Sequence, residues 1–327
     1  MSIQHDLLTL RVARRRQLVA EIVELTLVDP QGGVLPAWEA GSHIKLQVPL
    51  DGQPQWRHYS LINFATETGA TSAPREYRIA IRRAENGRGG SNWIHERVQE
   101  GDDLRIEPPS NLFPLDDGEV VLLAGGIGVT PIIAMASALE GAGRDYVMHY
   151  SGRSQPQMAF VEELSALCGN RLQVHCDDVP GRCLDLPALF SNLREEQQLY
   201  VCGPKGMLDA ALELARQAGW PAGRIRFELF EEAQAQEGDK PFKVELRASN
   251  RTLEVPADRT ILDVMLEAQL DPLYDCKRGE CGLCRTSVLG GEVEHRDYCL
   301  TEAEKKAGDV IHICVSRCKG DLLVLDA

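Results

Sequence analysis

Three cysteines spaced Cys276-x4-Cys281-x2-Cys284 restrict the fold of this 327-residue chain more than any other feature. The spacing is that of a plant-type [2Fe–2S] site, whose fourth thiolate arrives from far along the chain. One short loop must then wrap the cluster, presenting three sulfurs and several backbone N–H donors. Cys314 follows Cys284 after 29 intervening residues, at the end of an apolar run, and is the expected fourth ligand. Cys299 and Cys318 are the alternatives, although neither ends such a run. Gly279 and Gly282 allow the main chain to approach the inorganic sulfides without a Cβ in the way. Inward N–H groups then set the potential of the anionic cluster. Zinc is the competing ligand chemistry, but structural zinc favours paired C-x2-4-C elements, and only half of such a pair is present.

Ten cysteines without an apolar leader are expected to be thiols or metal ligands, which places the chain in the cytoplasm. With 35 basic against 49 acidic residues, a formal charge of −14 argues against nucleic-acid binding, which depends on phosphate neutralisation. Residues 120–139 carry no charge over 20 positions, long enough to span a membrane. Gly125, Gly126, Gly128 and Pro131 interrupt that run, so a buried strand, a glycine loop and a helix explain it better.

Three folded segments follow from the periodicity. Residues 1–109 contain short β-branched runs (8–12, 22–27, 43–48, 77–81) punctuated by Gly and Pro, the pattern of a small antiparallel barrel. A helix is predicted behind Ser91 as N-cap, and Pro108-Pro109 marks a boundary. Residues 110–231 alternate strand and helix in the rhythm of a doubly wound parallel sheet, with 224–230 as a closing strand. Residues 232–240 read as a linker. Residues 241–327 place strands at 244–246, 252–255, 285–289 and 311–313 around a helix at 261–268.

Four further motifs carry chemistry. Arg57-His58-Tyr59-Ser60-Leu61 is either an ordinary edge strand or a flavin contact, since Arg neutralises phosphate, Tyr packs on a ring system and Ser bonds a ring nitrogen. Gly87-Arg88-Gly89-Gly90-Ser91 before a helix is either a hairpin tip or an anion site of main-chain N–H groups. Ala124-Gly125-Gly126-Ile127-Gly128-Val129-Thr130-Pro131 stands between a buried strand and a helix, the context of a dinucleotide site. Pro131 takes the last position of that pattern, where the first helical turn tolerates it. Val201-Cys202-Gly203-Pro204 ends another strand at the same carboxyl edge, where ligands bind.

In this order the motifs R-x-Y-S, G-G-I-G-V-T-P, C-G-P and C-x4-C-x2-C cover essentially the whole chain. It resembles the phthalate dioxygenase reductase group of the ferredoxin–NADP reductase superfamily. The resemblance implies a flavin barrel, an α/β nicotinamide domain and a C-terminal β-grasp ferredoxin domain, with FMN in place of the FAD of many relatives. It assigns Arg57 to the flavin phosphate, Tyr59 to the isoalloxazine and Ser60 to the neighbourhood of N5. Arg88, Gly89, Gly90 and Ser91 complete the phosphate pocket. Gly125, Gly126, Gly128 and Thr130 face NADH, Thr130 near both rings. Cys202 lies by the nicotinamide, with Gly203 and Pro204 lining its pocket. Phe230 either covers the flavin or packs in the core. Leu283 replaces the small residue usual between the last two loop cysteines, and His58 bonds the flavin or faces solvent.

The implied reaction takes a hydride from NADH onto the flavin and sends single electrons through the cluster to a separate Rieske-type oxygenase of an aromatic acid or similar substrate. Ser60, Thr130 and Cys202 are the residues expected nearest the reacting atoms, none of them as acid or base, because the cofactors carry the chemistry. No segment is left for a Rieske or haem site within the chain. The other reading is a redox sensor without turnover. Arg153 after the sheet's second strand could receive a 2′-phosphate, whereas Asp177 and Asp178 would repel it if they face the same pocket; the resemblance implies NADH.

Overall fold

The computed structural model describes residues 7–50, 52–65, 71–84, 89–221, 223–230 and 235–327. The chain divides into two compact units, 1–228 and 229–327.

In the first unit, β1 (Leu8–Val19), β2 (Ile22–Val28), β3 (Ser42–Leu50), β4 (Gln53–Ser60), β5 (Glu76–Arg82) and β6 (Asp103–Asn111) form one antiparallel sheet ordered β4-β3-β6-β1-β2-β5. Period-two burial explains the pairing. Ile44, Leu46 and Val48 are buried and alternate with the half-buried Lys45 and Gln47. The edge strands β4 and β5 return into contact with each other, so the sheet curls as a small barrel. Val23, Leu25, Ile79, Ile81, Leu104 and Ile106 fill its core together with Ile94 of α1 (Gly90–Arg97).

Two expectations change here. The Pro108-Pro109 pair lies inside β6 instead of ending the segment. It sits where the ladder to β3 shifts register, between the pairs Lys45↔Glu107 and His43↔Ser110, a bulge that spares the missing N–H groups. The cap of α1 is Gly89 at φ +79, not Ser91. Ser91 is already helical, and its Oγ accepts the Ala84 N–H at 3.1 Å.

Still in this unit, β7 (Glu119–Gly125), β8 (Tyr146–Gly152), β9 (Leu172–Cys176), β10 (Gln197–Cys202) and β11 (Ile225–Glu228) form a wholly parallel sheet ordered β11-β10-β7-β8-β9. The helices α2 (Val129–Gly141), α3 (Val161–Cys168), α4 (Leu186–Asn192) and α5 (Lys205–Gln217) connect the strands. The charge-free run is therefore β7 and α2, and among the described residues no helix is long and apolar enough to cross a membrane. The expected strand over 224–230 stops at Glu228, leaving Phe230 outside it.

The second unit contains β12 (Phe242–Leu246), β13 (Arg251–Val255), α6 (Ile261–Glu267), β14 (Arg285–Gly290), β15 (Val293–Glu294), α7 (Glu302–Ala307), β16 (Val310–His312), β17 (Arg317–Cys318) and β18 (Leu322–Leu325). Its main sheet runs β13-β12-β18-β14-β16 with β12 and β18 parallel, the arrangement of a β-grasp. Helix α6 starts in a capping box of Thr260 and Asp263 and buries Ile261, Leu262, Val264 and Met265 in the sheet's core. The end of the expected linker is anchored: Asp239 pairs with Arg296, and Arg317 Nη2 donates to Lys240 O at 3.0 Å.

Candidate functional site

The R-x-Y-S residues end β4, opposite Leu46, Lys45, Ile44 and His43 of β3. Ser60 is 5% exposed, and its hydroxyl has no hydrogen-bond partner among the described residues. A buried, unanswered hydroxyl costs free energy, and a ring nitrogen of a bound flavin would satisfy it. Tyr59 packs its ring against the barrel core. Burial pushes its phenol's pKa up, and the nearby Arg57 charge opposes this. A Cβ on Gly90 would lie 2.8 Å from Arg57 Nε and 3.0 Å from its Cγ. The guanidinium stem thus lies directly over the start of α1, which no side chain caps among the described residues. A fixed cation beside free helical N–H donors is the chemistry of a phosphate pocket. The residues fit a flavin phosphate. Gly89 caps α1 and Gly90 lies beside the Arg57 stem, Ser91 accepts from the Ala84 N–H, and Arg88 lies outside the described residues. His58 sits edge-on to His43, ring centroids 5.0 Å apart, and is half-buried, not turned to solvent.

The glycines at the nucleotide edge do a second job. The sheet's chain order reverses between β7 and β10, which makes their carboxyl ends the switch point where ligands bind. Cys202 pairs with Ala124 there. A Cβ on Gly128 would collide with the Cys202 carbonyl, and one on Gly125 would come within 2.7 Å of Pro204 Cδ. Gly203 would likewise strike Met207. The two loops are seated against one another: Gly128 is required by main-chain packing whatever binds, Gly125 is crowded by the Pro204 ring, and Gly203 chiefly by the flexible end of Met207. Gly126 differs: its φ is +53 with open space around the missing Cβ. Thr130 is 2% exposed and donates from Oγ1 to Ile127 O at 3.2 Å, closing its own turn. Cys202 is 1% exposed, and Pro204 is exposed.

Arg153 is exposed one residue beyond β8. The N–H groups of Asp177 and Asp178 donate to Gly152 O and Arg153 O, each at 3.1 Å, so both exposed acids share the edge with that arginine.

In the second unit the four expected sulfurs form two pairs. Cys284 and Cys314 Sγ are 3.2 Å apart, and Cys276 is hydrogen-bonded to Cys281. Cys276, Cys284 and Cys314 are buried. The Cys276 thiol is pulled down by the Cys281 hydrogen bond and then by backbone N–H groups of Arg278, Glu280 and Cys281. Cys284 is lowered first by the Cys314 hydrogen bond, whereas the partner thiols Cys281 and Cys314 are pushed up by the same hydrogen bonds, so one sulfur of each pair is favoured as thiolate. Thiolates are the metal-ligating form. Among the described residues no group of three or more His, Cys, Asp or Glu side chains is arranged to hold one metal ion. Two sulfur pairs can supply two ligands to each of two irons. Gly279 and Gly282 have φ +76 and +78, as the loop requires. Cys299 is occupied otherwise, donating to Gly279 O at 3.1 Å, and Cys318 lies in the β17 ladder. The donor set fits a [2Fe–2S] cluster.

Sequence reasoning missed the buried Arg278–Glu280 pair inside this loop, 2.8 Å apart, where burial pushes the Glu280 carboxyl up to about 7. It also missed Asp297 and His312, both buried. No local spacing signals them. Leu283 is 48% exposed, and the half-buried Phe230 lies two residues beyond β11.

Comparison with known proteins agrees with this geometry. Residues 244–319 match the 2Fe-2S iron-sulfur cluster binding domain family. A toluene-4-sulfonate monooxygenase system reductase subunit of Comamonas testosteroni is 38% identical, covering 96% of this chain and 97% of that one. Phthalate dioxygenase reductase of Burkholderia cepacia is 35% identical over 98% of this chain and 97% of its own. A solved phthalate dioxygenase reductase structure, described as modular for electron transfer from pyridine nucleotides to [2Fe-2S], superposes with TM-score 0.74 at 35% identity over 98% of both chains. Full-length CYP116B46 of Tepidiphilus thermophilus matches with TM-score 0.74 and 38% identity, covering 98% of this chain. This chain spans only 42% of that longer chain.

Proposed function

We propose, from the premise that the chain belongs to the phthalate dioxygenase reductase family, that it is an NADH-dependent reductase using FMN and a [2Fe–2S] cluster to feed a separate Rieske-type oxygenase. The observation that carries this reading is the pairing of four cysteine sulfurs on a chain whose parallel sheet also has a switch point between β7 and β10. When bound, the flavin accepts two electrons as a hydride and the cluster carries them away one at a time.

The chain's own residues bind and orient. Arg57, with Arg88 and the N–H groups from Gly89 to Ser91, would hold the flavin phosphate. Tyr59 would support the ring system, and the buried Ser60 hydroxyl would bond a ring nitrogen while the barrel excludes water. Cys202, Gly203 and Pro204, held against Gly125 and Gly128, would seat the nicotinamide. Thr130 would act through shape, because its hydroxyl is committed to Ile127. Phe230 would cover the flavin until nicotinamide replaces it. In this reading residues 1–109 hold flavin, 110–231 hold NADH and 241–327 hold the cluster. Asp177 and Asp178 would repel a 2′-phosphate more than Arg153 alone would attract it, which favours NADH. Ten free thiols suit a reducing cytoplasm. Relatives named for phthalate, vanillate and toluene-4-sulfonate support an oxygenase of aromatic acids as the acceptor's class.

Cytochrome c reduction driven by NADH or NADPH tests the reading. Rapid NADH turnover is expected, with kcat/KM at least about tenfold above NADPH, the scale of one unfavourable charge contact. Flavin reduction without turnover would indicate a sensor, and a preference for NADPH would overturn the role given to the two aspartates.

A further inference from the structure

We propose that Asp297 is a positioning residue of the iron–sulfur loop: its backbone backs the Gly279 turn, while its buried carboxylate holds His312 behind the Gly282 turn and Ser316 of the fourth-ligand segment. This inference rests on the [2Fe–2S] reading of the four cysteines. Asp297 lies between β15 and α7 and is 3% exposed. Its carboxylate accepts the Leu300 N–H at 2.9 Å and the Ser316 hydroxyl at 3.4 Å. It faces His312 Nδ1 at 3.4 Å and His295 Nδ1 at 3.5 Å. A buried ion contributes less to stability than a well-packed apolar group of the same volume. The site therefore needs another reason for a carboxylate, and its neighbours supply one.

The first turn of the loop rests on the Asp297 backbone. Gly279 O accepts from Tyr298 N–H at 3.0 Å and from the Cys299 thiol at 3.1 Å. A Cβ on Gly279 would stand 3.2 Å from Asp297 Cα. The second turn rests on His312. That ring is 1% exposed, and its Nε2 lies 3.9 Å from the place a Gly282 Cβ would take. The fourth-ligand segment is joined through Ser316, two residues past Cys314, whose hydroxyl oxygen also accepts from Arg296 N–H at 3.1 Å. One residue thus touches both ligand-bearing parts of the chain, the Gly279 turn through its backbone and the Gly282 turn and fourth-ligand segment through its carboxylate's contacts to His312 and Ser316. Metal centres depend on such outer partners for ligand orientation and for their electronic properties.

Asp297→Asn and Asp297→Ala, in the complete flavin- and iron-loaded protein, test this. Asn keeps the volume and an acceptor for Leu300 but removes the charge facing the two histidines, and Ala removes both. The readouts are iron per chain, the EPR line shape of the reduced cluster, its midpoint potential and, as control, bound flavin. The Asn variant is expected to show a displaced potential and a changed EPR signature. The Ala variant is expected to lose iron severalfold with flavin retained. Iron loss in either variant at full flavin content supports the assignment. Wild-type iron, potential and EPR signature in both variants would overturn it. Flavin lost in step with iron would also overturn it, by showing a general folding role. A wild-type protein without two irons per chain would overturn the cluster reading itself, and this inference with it.

Discussion

Cys314→Ala is expected to reduce iron from two per chain to near zero while leaving NADH-driven bleaching of the flavin intact. Cys314 and Cys284 form one of the two sulfur pairs, and one iron keeps a single protein ligand when either is lost. The proposed flavin pocket and nucleotide edge belong to unit 1–228, and none of these sulfurs lies in that unit. Delivery to a one-electron acceptor is expected to fall by about two orders of magnitude, because the one-electron carrier is gone. Cys299→Ala is the informative comparison. It removes only a thiol hydrogen bond to Gly279 O, a change on the order of 1 kcal/mol, and should retain both irons. Iron content and the visible spectrum distinguish the two variants. Loss of iron in Cys299→Ala with retention in Cys314→Ala would reverse the ligand assignment.

Gly128→Ala is expected to be the most damaging single-methyl change in the nucleotide domain. The new Cβ meets main-chain atoms of Cys202 and Gly203, not a flexible side chain, so one loop must move. Overpacking of this kind costs about 1–3 kcal/mol. A displacement near 1 Å at the nicotinamide seat lowers hydride transfer by about 100-fold. Iron content should be unchanged. Gly126→Ala meets nothing within 4 Å and bears only the strain of a positive φ, about 1–2 kcal/mol. Its flavin reduction should therefore remain much closer to wild type. Stopped-flow flavin reduction by NADH measures both variants, and equal rates would remove the loop-packing role given to Gly128.

These contrasts show where sequence was informative. Cys276, Cys281 and Cys284 share one loop, and Gly125, Gly126 and Gly128 share one turn, so spacing alone exposes their chemistry. The alternating buried runs of the barrel and the strand–helix rhythm of the parallel sheet were legible for the same local reason. β6 was hidden by Pro108-Pro109, whose place at a register shift depends on the neighbouring strand. β18 is short, and its central position is set by pairing with β12 and β14. Ser91 looked like a cap because Ser is a good one, yet Gly89 adopts the left-handed turn and leaves α1 open over Arg57. The mutual seating of Gly128 against Cys202 and the Asp297–His312 contact join residues 74 and 15 positions apart in sequence. No window of local periodicity registers them.

An anaerobic titration with NADH, followed in the visible and by EPR, tests most directly whether hydride equivalents become single electrons within one chain. Bleaching of the flavin together with an EPR signal from a reduced [2Fe–2S] cluster, up to about three electrons stored per chain, is the predicted result. Uptake of two electrons with a silent cluster, or no reduction by NADH at all, would contradict it.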